Sequence, residues 1–439
     1  MDFRVSYVFS IFVTQKIEPM YTFNNKYFKS SKIRITTLSL VSLFVLSACG
    51  NKENTKKIEN NKYSGQSITI DQQLKDNLDE FANKPRCKGK FAIYVYDITA
   101  NKPVYGNNEN LALPSASCMK LISGIAGLHL LGTDYRYTTD IYTRGTIKND
   151  TLQGDITLKA DLDPQLKGTD LKMFINALHR KGIKKLSGKV YMDLTIQKPV
   201  TAEPHWYPWD LSFSQYGLLY KGKERVKNEF KTMLRNQGFQ LADSQFVFSK
   251  TPKGSKCIFR FQRSIDRVIQ RMWKNSSNTQ ATAMLYTISN HINAKDSTFT
   301  RSGINYLYKF VQNDLGLKDK KLVIHDGCGL CTHNHLSPKS LVTALRYGYK
   351  DNAIRKNLYT HLSVAGINGT ARRLLSKPEL RGKLHVKTGT LSHPYGISSL
   401  AGFCKASNGH TLAFAIMDSE MSVLDAHVLQ SKLAQVLVK

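Results

Sequence analysis

The sequence predicts an α+β fold, and three observations carry that reading. Strand-like runs lie near both ends, at Phe91–Asp97 and at 383–387, 397–404 and 410–417. Helical spacing fills the middle, at about 264–273, 277–293 and 302–315. A single α+β domain built from both ends of the chain satisfies this order. Third, the stretch of about 132–262 is β-rich and reads as an insertion into that domain. The 439 residues suffice for a large core and two domains.

In chain order, residues 1–48 read as an export signal. Lys26, Lys29, Lys32 and Arg34 precede the apolar run Leu38 to Val45, which is too short for a good membrane span. The run ends Leu46-Ser47-Ala48-Cys49-Gly50, with small residues at the cut. A cysteine directly after that cut resembles the bacterial lipobox, which implies a lipoprotein signal peptide with Cys49 lipidated. The expected location is the bacterial cell envelope, lipid-anchored, periplasmic or extracytoplasmic. Residues 49–67 are rich in Lys, Asn and Glu without periodicity and read as a tether.

Beyond the tether, apolar residues at 70, 74, 78, 81 and 82 predict a helix over Ile70–Lys84. Phe91–Asp97 is a strand, and 101–110 is turn-rich. Short strands are expected at 137–143, 155–160 and 189–194, with a helix near 170–181. The stretch 198–218, with Trp206, Tyr207, Pro208 and Trp209, reads as irregular. A basic helix at 223–237 and a strand at 258–261 close the insertion, and a helix over about 423–438 ends the chain. The expected division is 68–131 with 263–439 as the main domain, and 132–262 inserted.

The formal net charge is +30, and the chain stays strongly basic when residues 1–48 are set aside. No nucleic-acid module is visible, so an anionic lipid surface or a cell-wall polymer is the expected neighbour. Seven cysteines spread over this length do not make a disulfide scaffold.

The chemistry-bearing stretch is Pro114-Ser115-Ala116-Ser117-Cys118-Met119-Lys120. Apolar residues then recur at 119, 122, 125, 126 and 130, and Gly132 is a plausible stop. On a helix, Ser117 and Lys120 share one face near the N-terminus. A serine is a poor nucleophile until a base takes its proton, and a desolvated lysine can be that base. Alone, this pairing also fits an N-capped core helix with a solvated lysine. Two further stretches change that balance: Ser276-Ser277-Asn278 at a helix start, and His385-Val386-Lys387-Thr388-Gly389-Thr390 at a strand end. Taken singly they fit an N-cap and an edge lysine before a turn. In the order S-x-x-K, S-x-N, K-T-G they form the set found in penicillin-binding proteins and serine β-lactamases.

On these residues the chain resembles the low-molecular-mass class C penicillin-binding proteins, the D-alanyl-D-alanine carboxypeptidases and endopeptidases. Gly154-Asp155-Ile156-Thr157-Leu158, Asp163-Pro164, Asp326-Gly327-Cys328-Gly329-Leu330, Leu336-Ser337-Pro338 and Gly366-Ile367-Asn368-Gly369-Thr370 extend the likeness. Ser277 and Thr282 depart from it, standing where acidic residues are expected.

The resemblance implies a split serine β-lactamase/transpeptidase-like domain, an antiparallel sheet with helices, carrying an inserted β-rich domain. It implies a penicillin-binding DD-peptidase that cleaves D-alanyl-D-alanine or cross-link bonds of peptidoglycan through an acyl-enzyme. Ser117 is then the nucleophile, Lys120 its base, and Ser276 the relay to the leaving nitrogen. Asn278, Lys387, Thr388, Gly389 and Thr390 bind substrate, with Gly389 letting the substrate backbone approach. The backbone N–H groups of Ser117 and Thr390 would form the oxyanion hole. Expected partners are peptidoglycan peptides, β-lactams and the membrane. A serine β-lactamase, or a weakly catalytic envelope-binding protein retaining the pocket, are the alternatives.

His325, Cys328, Cys331, His333 and His335 crowd one short run, and such a cluster can bind zinc. The related loop carries small hydroxyl residues at the two cysteine positions. The cysteines are therefore expected to be small packed thiols, with no metal or cofactor bound.

Overall fold

The computed structural model describes residues 68–85, 88–202, 205–206 and 217–439. The expected signal, the tether and Cys49 lie outside these residues. Asp71 caps the first helix, α1 (Gln72–Asn83), its carboxylate accepting from Leu74 N at 3.0 Å. There follow β1 (Lys90–Asp97), β2 (Lys102–Asn107) and β3 (Leu113–Pro114), then a 3-10 turn at Ala116–Cys118 running into α2 (Met119–Leu131). The middle of the chain holds β4 (Arg136–Lys148), β5 (Thr151–Ala160), α3 (Lys172–Arg180), β6 (Lys185–Leu186) and β7 (Val190–Leu194). It continues with α4 (Lys223–Asn236), β8 (Phe246–Val247) and β9 (Lys256–Ser264).

Three helices come next, α5 (Ile265–Lys274), α6 (Asn278–Ile292) and α7 (Arg301–Lys309). Then come β10 (His335–Leu336), α8 (Pro338–Lys350), α9 (Asn352–His361), β11 (Ser363–Val364) and α10 (Ala371–Leu374). The chain closes with β12 (Leu384–Leu391), β13 (Ile397–Lys405), β14 (Thr411–Ser419) and α11 (Val423–Val438).

The main sheet has the order β11-β12-β13-β14-β1-β2 and is antiparallel throughout. The first strand therefore pairs with the last, Ile93 opposite Ile416. Alternate residues of β1 serve two cores. Phe91, Ile93 and Val95 join α1 and α11 on one side, while Ala92, Tyr94 and Tyr96 join the core of α2 and α8 on the other. A sheet covered on both faces needs apolar residues at every position, which is why β1 and β14 read as unbroken hydrophobic runs. The α+β class and the assembly from both ends agree with the sequence.

Residues 136–264 supply a second six-stranded sheet, β8-β7-β5-β4-β9 with β6 beside β5. Its long hairpin β4–β5 turns at Asn149 and Asp150, both with positive φ (47° and 62°). Two such residues make the mirror-image turn that suits strand twist. Arg260 on β9 holds Asp140 on β4 with two contacts of 3.0 and 2.9 Å.

Several elements differ from expectation. The turn-rich stretch 101–110 contains β2, and the strands expected at 137–143 and 155–160 are parts of the longer hairpin. Its outer end is exposed and polar, so the apolar alternation fades before the strand does. Helices α8 and α9 were not anticipated, although Ser337 caps α8 with Pro338 in its first turn. No helix among the described residues is long and apolar enough to cross a membrane.

Candidate active site

The site gathers at the edge of the main sheet, where β12 meets the start of α2. Ser117 sits on the 3-10 turn rather than capping a helix with its side chain. Its neighbour Ala116 has φ 44°, a left-handed conformation costly for a residue with a Cβ. That kink is fixed from several sides. Ser399 Oγ donates to Ser115 O at 2.7 Å, and Cys118 N donates to the same carbonyl at 3.1 Å. Two glycines allow the close approach. A Cβ on Gly329 would collide with Ala116 O, and one on Gly389 would meet Ser399 Oγ and lie 2.9 Å from Ser115 O and Ser117 N. Beside the expected room for a substrate backbone, the glycine serves a second need: at Gly389, β12 itself presses on the nucleophile's turn.

Lys120 has no exposed surface. Its Nζ lies 2.8 Å from Ser117 Oγ, 2.8 Å from Asn278 Oδ1 and 2.6 Å from Cys328 O. Burial holds its pKa below the ordinary lysine value, against a smaller opposing pull from Cys328 and Asp326. A neutral amine has two protons and one lone pair. Donating to Asn278 and to the Cys328 carbonyl turns the lone pair toward Ser117, the geometry a general base needs. Trp273 fixes the helix beneath, donating from Nε1 to Lys120 O at 2.8 Å.

The second amine, Lys387, is also fully buried. Its Nζ donates to Ser276 Oγ at 2.8 Å and to Thr388 O at 2.5 Å. Burial, and then the nearby Lys120 charge, push its pKa down to about 7. Ser276 has φ 56°, a second left-handed residue beside the chemistry. The structure thus brings Ser117, Lys120 and Asn278 into one cluster and Ser276 and Lys387 into an adjoining one.

Thr388 points its hydroxyl into a side network, donating to Thr370 Oγ1 at 2.7 Å. Ser363 Oγ lies 3.2 Å from Thr370 Oγ1 and donates to Lys274 O at 3.0 Å. Thr390 is exposed, its hydroxyl 3.4 Å from His427 Nε2. Ser277, which replaces an expected acid, caps α6 with its hydroxyl, a role serine fills as well as aspartate. Thr282 is buried in α6 and its hydroxyl lacks a hydrogen-bond partner. Cys118 is buried, donates to Lys387 O at 3.3 Å and has its pKa raised by burial, so it remains a thiol.

Sequence reasoning missed what holds the Cys328 carbonyl in place. Asp326 is buried, and its Oδ1 accepts from Cys328 N at 2.9 Å and Gly329 N at 2.5 Å. Its Oδ2 accepts from Cys331 N at 2.7 Å and Trp206 Nε1 at 2.9 Å. Asn334 adds Oδ1 as acceptor for His325 N at 2.7 Å. An aspartate beside glycines was the available signal, since such residues organise tight loops.

The histidine–cysteine run does not cluster as its spacing suggests. The Cys328 carbonyl accepts from Lys120, His335 Nδ1 lies 2.8 Å from His333 O, and neither residue joins the donor group. His205, from a distant segment, comes in instead. One donor atom each from His205, Cys331 and His333 lie within 4.8 Å of one another.

The sequence profile of the D-Ala-D-Ala carboxypeptidase 3 (S13) family matches residues 74–217 and 219–439. A D-alanyl-D-alanine carboxypeptidase, DacB, of Haemophilus influenzae is 20% identical, with 72% of this chain and 83% of the relative covered. The crystal structure of penicillin binding protein 4 from the same organism superposes with a TM-score of 0.69 at 17% identity, covering 83% of this chain and 99% of that one. A predatory endopeptidase of Bdellovibrio bacteriovorus, solved with an immunity protein, gives 0.55 at 17% identity, over 79% and 92% of the two chains. Another predatory endopeptidase of that organism, acylated by penicillin G, gives 0.51 at 15%, over 79% and 91%.

Proposed function

The chain belongs to the D-Ala-D-Ala carboxypeptidase 3 (S13) family, and from that premise we propose that it is a serine DD-peptidase working through an ester on Ser117. The observation that carries this reading is the 2.8 Å contact between Ser117 Oγ and the buried, pKa-lowered Lys120 amine. In the acylation step Lys120 takes the hydroxyl proton as Oγ attacks the carbonyl between the two terminal D-alanines. The tetrahedral oxyanion is received by the N–H groups of Ser117 and Thr390. Ser276 relays the proton taken by Lys120 to the leaving nitrogen, returning Lys120 to its neutral form, and Lys387 holds the substrate's terminal carboxylate with Thr388 alongside. Water then hydrolyses the ester.

The substrate class is peptidoglycan peptide. Both a terminal D-alanine and a D-alanine cross-link fit the chemistry. Penicillins acylate the same serine, because their strained amide imitates the D-Ala-D-Ala bond. The division into a main domain of 68–131 with 263–439 and an inserted 132–262 belongs to the same reading. So does attachment to the bacterial envelope through Cys49; Cys49→Ser should shift the protein from the membrane fraction to soluble or unprocessed pools.

The test is covalent labelling. Intact-mass measurement of the full chain with benzylpenicillin should show one adduct, mapped to the peptide bearing Ser117. Ser117→Ala should abolish it, whereas Ser115→Ala, which lacks a lysine three residues on, should still label. An adduct on Ser115, or none in folded protein, would overturn the assignment. Product analysis after digestion of purified peptidoglycan distinguishes release of D-alanine from cutting of cross-links.

A further inference from the structure

We infer that His205, Cys331 and His333 form a binding site for zinc, with His325 as fourth donor, tying segment 205–206 to the loop that positions Lys120. Cys331 Sγ and His333 Nδ1 are 3.6 Å apart. Two donors on one tetrahedral zinc, at ~2.3 Å for sulfur and ~2.0 Å for nitrogen, sit roughly 3.5 Å apart. That pair therefore already has the spacing a shared ion imposes. The remaining donor atoms, all within 4.8 Å, need about one ångström of closure, well within the rotamer freedom of exposed imidazoles. The ring centroids of His205 and His333 are 4.9 Å apart. His325 stands 5.6 Å from the first and 5.7 Å from the second. Two imidazoles and a thiol thus come within reach of one ion from two segments far apart in the chain, with the His325 ring beside them.

The ligand chemistry favours zinc. Imidazole and thiolate together suit zinc and neighbouring transition metals, whereas carboxylate-poor sites exclude calcium and magnesium. The buried carboxylate of Asp326, on the same loop, is fully engaged by four N–H donors and acts as the outer support. Its partners are Trp206, next to His205, and Cys331 N, so the loop and the segment are already joined by a hydrogen-bonded scaffold. Binding would require the Cys331 thiol to lose its proton to solvent. The expectation of no metal counted only the run 325–335. Within it Cys328 and His335 stand outside the donor group, and the missing donor is His205.

The site adds a second tie to the loop whose Cys328 carbonyl accepts from Lys120. Its role is therefore mechanical, holding a positioning loop rather than touching the reacting atoms.

The experiment uses the full chain, stripped with chelator and dialysed against zinc alone, with metal counted by elemental analysis. About one zinc per chain is expected, together with a thiolate-to-metal charge-transfer band when cobalt replaces it. His205→Ala and Cys331→Ser should each weaken binding by more than the ~10–100-fold that loss of an outer partner costs. His325→Ala should weaken it less, and Cys257→Ser, which changes an exposed thiol on β9, should not alter it. Circular dichroism and a cooperative thermal melt serve as the check that each variant is folded. No retained zinc in folded protein, or zinc that persists unchanged in both His205→Ala and Cys331→Ser, would overturn the site.

Discussion

Two buried amines share one small site. Lys387, with its pKa near 7, is cationic below that value and neutral above it. In the role proposed above its cation meets the substrate carboxylate, and kcat/KM for carboxylate-bearing substrates should then fall as pH rises through about 7. That limb should be weaker for an analogue lacking the carboxylate; equal limbs for both would contradict the role. The same depression has a cost in stability. The unfolded chain keeps an ordinary lysine of ~10.4, so between the two values the unfolded state binds more protons and stability rises with pH. Lys387→Met should therefore stabilise the folded protein by at least ~1 kcal/mol below pH 7 while removing carboxylate recognition. The gain should shrink toward pH 10, and thermal melts across pH measure it. Lys120→Ala, by contrast, should slow acylation about 10²–10⁴-fold.

The spacing of Ser117 and Lys120, and the order of the three motifs, were legible because short-range helix geometry fixes them. Trp206, Thr370 and His205 were not. Each meets a partner far away in sequence, and no local pattern announces such a meeting; Asp326 had a local signal in its glycines, but its hold on Trp206 is equally distant.

At the scale of the element, β12 both lines the site and presses on the turn that bears Ser117. Gly389→Ala tests this directly. Its methyl would meet the backbone at Ser115 and Ser117, groups that cannot swing aside. A destabilisation of about 1–3 kcal/mol is expected, together with slower acylation because Ser117 moves. Denaturant midpoint and labelling rate give the two readouts; unchanged rates in a destabilised protein would separate packing from catalysis. Strands and helices with strong periodicity, such as α1, α6 and β13, could be read from the chain. Helices α8 and α9 escaped because their short polar and apolar alternations do not stand out beside longer patterns, although Ser337 and Asp351 supply ordinary caps. The outer hairpin of β4 and β5 escaped for the opposite reason, since its exposed residues carry no alternation at all.

On the scale of the molecule, α1 and α11 together close one face of the main sheet. Leu433, Leu437 and Val438 pack with Leu74 and Leu78 there. Each such side chain contributes roughly 1.5–3 kcal/mol on burial, and a domain's whole margin is about 5–15 kcal/mol. Deleting residues 423–439 should therefore abolish cooperative unfolding and penicillin labelling alike. A truncated chain that still labels at the full rate would show that the face is dispensable. That both ends of the chain meet in one sheet was readable from the placement of strand patterns. The pairing of β1 with β14, and their register, was not, because contacts spanning nearly the whole chain leave no mark on local composition.

That pairing also sets an order of events. Ser117 and Lys120 emerge early in synthesis, but the strand bearing Lys387 is seated by β13, and β13 by β14. Contacts so distant in sequence form slowly and late. While residues 411–439 are still inside the ribosome, the nucleophile exists without the wall that aims it. The newborn chain therefore holds Ser117 and Lys120 without an assembled site until its last strand arrives.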